Sequence, residues 1–199
     1  MNFLIVGLGN PGEEYENTRH SVGRILLENF RKSVDFPDWQ ENKYAQALCT
    51  SGKIGKEKVD LILPETFMNK SGKSVSFLST KNKIKPENII VVYDDLDLPL
   101  GKFKISFNRG SGGHKGLESV ARSLKTKEFV RLRVGISAED KNGRARKPQG
   151  EKKVTDFILG KFKNPELEIL KKLSKKTSPA LEAIVSLGLE KAMGEWNSK

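Results

Sequence analysis

Four short, largely apolar runs limit the fold more than any other feature: Phe3–Val6, Val59–Leu63, Ile89–Tyr93 and Phe129–Ile136. Each has the length of a strand and is too short for a buried helix. The segments between them carry apolar residues at helical spacing. Val22–Lys32 gathers Val22, Ile25, Leu26 and Phe30 on one face, and Gly72–Lys81 gathers Val75 and Leu78. A further helix is predicted over Gly116–Leu124, after the loop Gly110–Gly113. Strands alternating with helices predict an α/β fold, a single domain spanning 1–199 in which α-helices sandwich a mixed, twisted β-sheet. Tyr44–Thr50 is expected to pair with Val59–Leu63 across Ser51–Gly55, and Lys102–Phe107 to add another strand. The tail from Pro165 is predicted helical, with Leu181, Ile184, Val185, Gly188 and Ala192 on one stripe. Ser137–Lys153 is polar, basic and broken by Gly143, Pro148 and Gly150, which predicts a mobile basic loop.

Composition then excludes several classes. No apolar run approaches the roughly 20 residues that cross a bilayer, and Phe3–Val6 lacks the basic leader and length of a signal peptide. Cys49 is the single cysteine, so neither a disulfide framework nor a Cys-rich metal site is expected. These features predict a cytoplasmic protein. The net charge of +11 is distributed unevenly. Residues 1–100 hold 13 Lys and Arg against 14 Asp and Glu, whereas 101–199 hold 23 against 11. One-sided clustering of cations points to a polyanionic partner, because neutralising phosphates releases counterions. Composition alone does not choose between nucleic acid and a membrane surface.

The candidate chemistry is sparse. Gly7-Leu-Gly-Asn-Pro-Gly12 matches the G-x-G-x-x-G dinucleotide fingerprint, which requires the glycine turn to run straight into a helix. Here Pro11 and the polar stretch Glu13–Arg19 push the next helix downstream, and a nicotinamide cofactor is not expected. Only two histidines exist, His20 and His114, and each sits in a loop of functional appearance. Asp94, Asp95 and Asp97 follow the apolar run Ile89–Tyr93, where ligand sites of open α/β sheets lie. Clustered carboxylates suit Mg²⁺, but no second cluster of like density accompanies them. One Asp orienting an imidazole is the simpler reading, since the carboxylate fixes the tautomer and strengthens the other nitrogen as a base. No G-x-S-x-G elbow is present, and Cys49 falls in an expected strand.

Taken in order, these segments resemble the bacterial peptidyl-tRNA hydrolase family. The resemblance rests on Phe3–Gly12, Tyr15 with Thr18-Arg19-His20, Phe67-Met-Asn69 with Ser71-Gly72, Tyr93–Pro99, Gly110–His114 and Arg131–Gly135. It runs from Asn2 to about Met193. The resemblance implies an esterase that frees tRNA from peptides, active as a monomer without metal or cofactor. It also implies roles. His20 would be the general base, Asp94 its orienting carboxylate, and Asn10 a catalytic amide. Tyr15, Met68, Asn69, His114 and Lys115 would contact substrate, while Arg133 and Lys104 would hold a tRNA phosphate. Three positions depart from the family pattern: Ser21 and Lys115 stand where Asn is usual, and Ser106 where a phosphate-holding Lys is usual. Lys102 or Lys104 is the candidate substitute for that lysine. A non-catalytic RNA-binding protein of the same fold is the alternative, and the presence of Asn10, His20, Asn69 and Asp94 together argues for catalysis.

Overall fold

A computed structural model describes residues 1–198. Its eight strands are β1 (Asn2–Gly7), β2 (Gln40–Asn42), β3 (Ala47–Ile54), β4 (Glu57–Pro64), β5 (Ile89–Pro99), β6 (Phe103–Phe107), β7 (Val130–Glu139) and β8 (Ala145–Arg146). Six helices accompany them: α1 (Val22–Ser33), α2 (Gly72–Lys81), α3 (Lys115–Leu124), α4 (Glu151–Leu159), α5 (Asn164–Leu187) and α6 (Leu189–Trp196). The sheet runs β2-β3-β4-β1-β5-β7-β6, with β8 paired to β7. β1 lies parallel between β4 and β5, and β5 parallel to β7, while the outer strands pair antiparallel. This is the mixed sheet expected, covered by helices on both faces.

Alternation along the strands builds two cores. Phe3 and Ile5 of β1, with Ile90 and Val92 of β5, pack beneath α1, α5 and α6. Leu4 and Val6, with Ile89, Val91 and Tyr93, pack beneath α2 and α3. Because α1, after β1, covers one face and α3, between β6 and β7, covers the other, a crevice opens between the carboxyl ends of β1 and β5. Gly23 lets α1 enter that crevice closely: a Cβ there would collide with the Val92 carbonyl oxygen and with the backbone of Leu8. The approach brings the turn before α1 against β5.

Several boundaries differ from expectation. β5 does not stop at the acidic cluster but continues to Pro99, with an irregularity between Asp95 and Pro99, so all three aspartates lie within a strand. β3 begins at Ala47, because Gln46 takes a positive φ in the preceding turn, and β2 was not foreseen. Ser137–Lys153 folds as the end of β7, a turn, β8 and the first turn of α4. Gly188, expected within a helical stripe, breaks the tail into α5 and α6 at φ 88°. No helix among the described residues is long and apolar enough to cross a membrane.

Candidate active site

Both imidazoles meet at one carboxylate. His20 lies in a 3-10 turn, Arg19–Ser21, immediately before α1, and is buried. Its Nδ1 sits 2.9 and 3.0 Å from the two oxygens of Asp94 on β5. His114 approaches the same carboxylate from the start of α3, with Nε2 3.0 Å from Asp94 Oδ1. His114 is also the N-cap of that helix: its Nδ1 accepts from the backbone N–H groups of Gly116 and Leu117. An acceptor nitrogen carries no proton, so the His114 proton resides on Nε2 and is donated to Asp94. Asp94, an acceptor when ionised, takes the Nδ1 proton of His20 in the same way. His20 Nε2 is left bare, with no protein partner. His114, expected at the substrate edge of the site, lines the cleft and also contacts the acid.

The charges follow from this geometry. Burial pushes the Asp94 carboxyl up, but the electrostatic pull of the two rings and their hydrogen bonds to it outweigh that and hold the group far below the usual carboxylate range. Burial disfavours a charge on His20, and Lys115 nearby does the same. Asp94, by charge and hydrogen bond, more than offsets both and leaves His20 titrating above the ordinary histidine value. The other two acids are each spent on a cation. Asp95 pairs with Arg133 Nε at 2.7 Å, and Asp97 with Lys147 Nζ at 2.6 Å. Ligand atoms of His20, Asp94 and His114 lie within 4.8 Å of one another, close enough to share an ion. Filling that position requires stripping the proton from His114 Nε2 while its Nδ1 still caps α3.

The cleft above the acid has a volume of about 1070 Å³. Asn10, Met68, Asn69, His114, Lys115 and Arg133, all singled out in the sequence, line it. Asn10 Oδ1 accepts from the Met68 backbone N–H at 2.8 Å, which fixes the amide and leaves its Nδ2 free to donate. Met68 is buried against Gly116, so it forms floor more than wall. Tyr15 lies outside this cleft, in an adjoining groove that shares Asn10, and meets Phe67 edge-on at 6.5 Å. Lys104 is exposed on β6, directly opposite Arg133 in register, and does not line the cleft. Ser106 faces Arg131, and Lys102 is paired with Glu139 at 2.6 Å.

Sequence reasoning missed the opposite wall. Val154, Thr155, Ile158 and Leu159 of α4 line the cleft, although no residue of α4 is buried. Arg19, next to the histidine, fixes the end of this helix. Its guanidinium donates to the Gly160 and Lys161 carbonyls and forms a two-pronged pair with Glu166 at 2.7 and 2.9 Å. The rings of Phe157 and Phe162 flank it at 4.7 and 5.1 Å. An amphipathic pattern in 151–159 was the available signal. Glycine and proline just upstream masked it.

The glycine run at Gly7–Gly12 opens onto a 3-10 turn, Glu13–Tyr15, and α1 begins only at Val22. The helix N-terminus that would seat a pyrophosphate is therefore not at the end of the run. Comparison with known proteins points elsewhere. The family model described as peptidyl-tRNA hydrolase matches residues 4–199. The peptidyl-tRNA hydrolase of Dehalococcoides mccartyi is 39% identical over 197 residues, covering 98% of this chain and 99% of its own. That of Fervidobacterium nodosum is 40% identical over 195 residues, covering 98% and 96%. The crystal structure of peptidyl-tRNA hydrolase from Acinetobacter baumannii superposes with a TM-score of 0.88 at 31% identity, over 98% of this chain and 94% of that one. The chain belongs to the peptidyl-tRNA hydrolase family.

Proposed function

We propose that the protein hydrolyses the ester between a peptide and the terminal ribose of tRNA, with His20 as general base. The observation that carries this reading is a bare His20 Nε2 in the cleft, on a ring whose other nitrogen donates to a buried, ionised Asp94. Nε2 takes a proton from attacking water, and Asp94 stabilises the resulting imidazolium. A positioned base of this kind contributes about 10²–10⁴-fold. A ribose alkoxide is a far better leaving group than an amine, so no covalent nucleophile is needed.

The remaining roles follow from placement. Asn10 Nδ2, its amide held by Met68, and Asn69 on the exposed rim are donors suited to the developing oxyanion and the peptide backbone. Met68 and Lys115 line the peptide path; Tyr15, with Phe67, borders it across Asn10. Arg133 and Lys104, side by side on β7 and β6, form the phosphate-holding pair, and Lys104 takes the place of the lysine missing at Ser106. Segment 137–153 carries the basic turn that closes on tRNA.

The protein acts in this reading as a cytoplasmic monomer, without metal or cofactor. The pairing of Asp95 and Asp97 with cations supports the metal-free mechanism. The test is incubation with a peptidyl-tRNA, a formyl-Met-tRNA and an aminoacyl-tRNA. Hydrolysis of the first alone is expected; cleavage of the aminoacyl-tRNA, or of none, overturns the assignment. Activity should survive a chelator, and loss restored by Mg²⁺ or Zn²⁺ would remove the metal-free mechanism.

A further inference from the structure

Three hydrogen bonds converge on a residue to which the hydrolytic step gives no work. His114 accepts at Nδ1 from Gly116 N at 3.2 Å and Leu117 N at 3.3 Å, and donates from Nε2 to Asp94 Oδ1 at 3.0 Å. The two donors belong to the first turn of α3, where unpaired N–H groups and the helix dipole place partial positive charge. Accepting from them draws electron density toward Nδ1 and makes Nε2–H a stronger donor, since linked hydrogen bonds polarise one another. Asp94 Oδ1 is therefore shared between a histidine that must gain a proton and one whose proton is fixed. The ring is further pinned by the edge of Tyr93, 5.0 Å away between centroids.

We propose that His114 is a positioning residue that relays the N-terminal end of α3 onto Asp94, orienting the carboxylate and limiting how strongly it pulls on the His20 proton. The inference rests on His20 being the base. Two effects follow from one contact. The donor holds the carboxylate plane so that both oxygens stay within reach of His20 Nδ1. It also spreads the carboxylate charge over a second ring, so less of it falls on His20. Too strong a pull would leave the base protonated at working pH. The charged groups that act on His20 are Asp94 from β5 and Lys115 from the first residue of α3; Asp95 and Arg133 from the sheet, Lys70, Arg109, Lys147 and Glu151 of α4 line the same cleft.

The experiment reads titration separately from turnover. In the wild-type protein, ¹⁵N spectra of the histidine rings should show neutral His114 with a bare Nδ1 and a protonated Nε2. The reverse tautomer overturns the proposal. Two variants then separate relay from cap. His114→Asn keeps a good N-cap residue but is too short to reach Asp94, whereas His114→Ala loses both. Both should move the His20 midpoint, and the acid limb of kcat/KM with it, to higher pH by roughly half a unit or more. Only the alanine variant should also lower Tm. A midpoint unmoved or lowered in the asparagine variant overturns the relay, as does full restoration of the wild-type profile by asparagine. Failure of the base assignment would show differently, as turnover surviving in His20→Ala while the His114 tautomer and His20 titration stay as stated.

Discussion

The two walls of the cleft are built on opposite plans. On the sheet side, His20 and Asp94 are buried and His114 half-buried, and every side-chain polar atom of the three but one ring nitrogen is committed to a partner. On the other side, α4 buries none of its residues and is held at its ends, by Arg19 at Gly160–Lys161 and by the Lys147–Asp97 pair ahead of it. Chemistry that requires donors and acceptors within tenths of an ångström is built on strand β5 and a helix N-terminus, where backbone hydrogen bonds fix position. In the proposed function, contact with a substrate whose peptide varies falls to a helix that buries none of its own residues. The difference separates rate from grip, and each side can be broken alone.

The largest effect belongs to the rigid wall. His20→Ala should remove essentially all turnover while tRNA binding persists, because the lost base contributes on the order of 10²-fold or more. Retention of more than about a tenth of activity would contradict the base role. Asp94→Asn should fall short of this loss, since the carboxylate orients the base and stabilises its cation without transferring the proton. Single-turnover rates with a constant Kd are the measurement. If Asp95→Asn proved the more damaging of the two acids, the wrong carboxylate would have been assigned, although Asp95 is already occupied by Arg133. The pH dependence carries a sign as well. With its pKa raised, His20 becomes a free base only at higher pH, so kcat/KM should climb as pH rises through that value and fall below it.

The exposed wall should respond in the other kinetic parameter, KM before kcat. Arg19→Ala removes the pair with Glu166 and the contacts to Gly160 and Lys161. It should cost roughly 1–3 kcal/mol of stability, below the range for a fully buried pair, because Glu166 is 24% exposed. Hydrogen exchange across 151–159 should speed up in the variant. In the wild type, tRNA should slow exchange over 137–159. Equal protection with and without tRNA would show that this wall does not close on the substrate.

The same contrast explains what the sequence could tell. β1, β4, β5 and β7 were legible because strands covered on both faces are nearly continuous apolar runs. The site was legible where one residue type is scarce: with two imidazoles in the chain, both had to be weighed. Partnerships between distant segments were not. Arg19 and Glu166 are 147 positions apart, and nothing local at either predicts the other. The extension of β5 through three aspartates contradicts strand propensity, which disfavours Asp. It is stabilised by tertiary partners: two histidines donate to Asp94, Arg133 pairs with Asp95 and Lys147 with Asp97. α4 was hidden because it is short, its apolar residues are divided between the cleft and the edge of the core, and its flank carries loop composition.

The smallest expected effect falls on the residue that touches both walls' business, Lys115. It occupies the first position of α3, where the helix dipole disfavours a cation, and no carboxylate pairs with it among the described residues. An ammonium so placed gains most from an anion arriving in the cleft. Phosphate of the single-stranded tRNA end is one candidate, a peptide carbonyl another, and a solvated side chain a third. Lys115→Asn, measured on the inactive His20→Ala background across several salt concentrations, separates them. A phosphate contact predicts that the log–log slope of Kd against salt weakens by about 0.7, the value for one contact on a single strand. A carbonyl contact predicts a changed Kd at constant slope, and a solvated lysine predicts neither. With His20 restored, the same substitution should move the acid limb of kcat/KM upward, because Lys115 opposes protonation of the base. An unmoved limb together with an unmoved slope would leave Lys115 a surface residue that faces the cleft without acting in it.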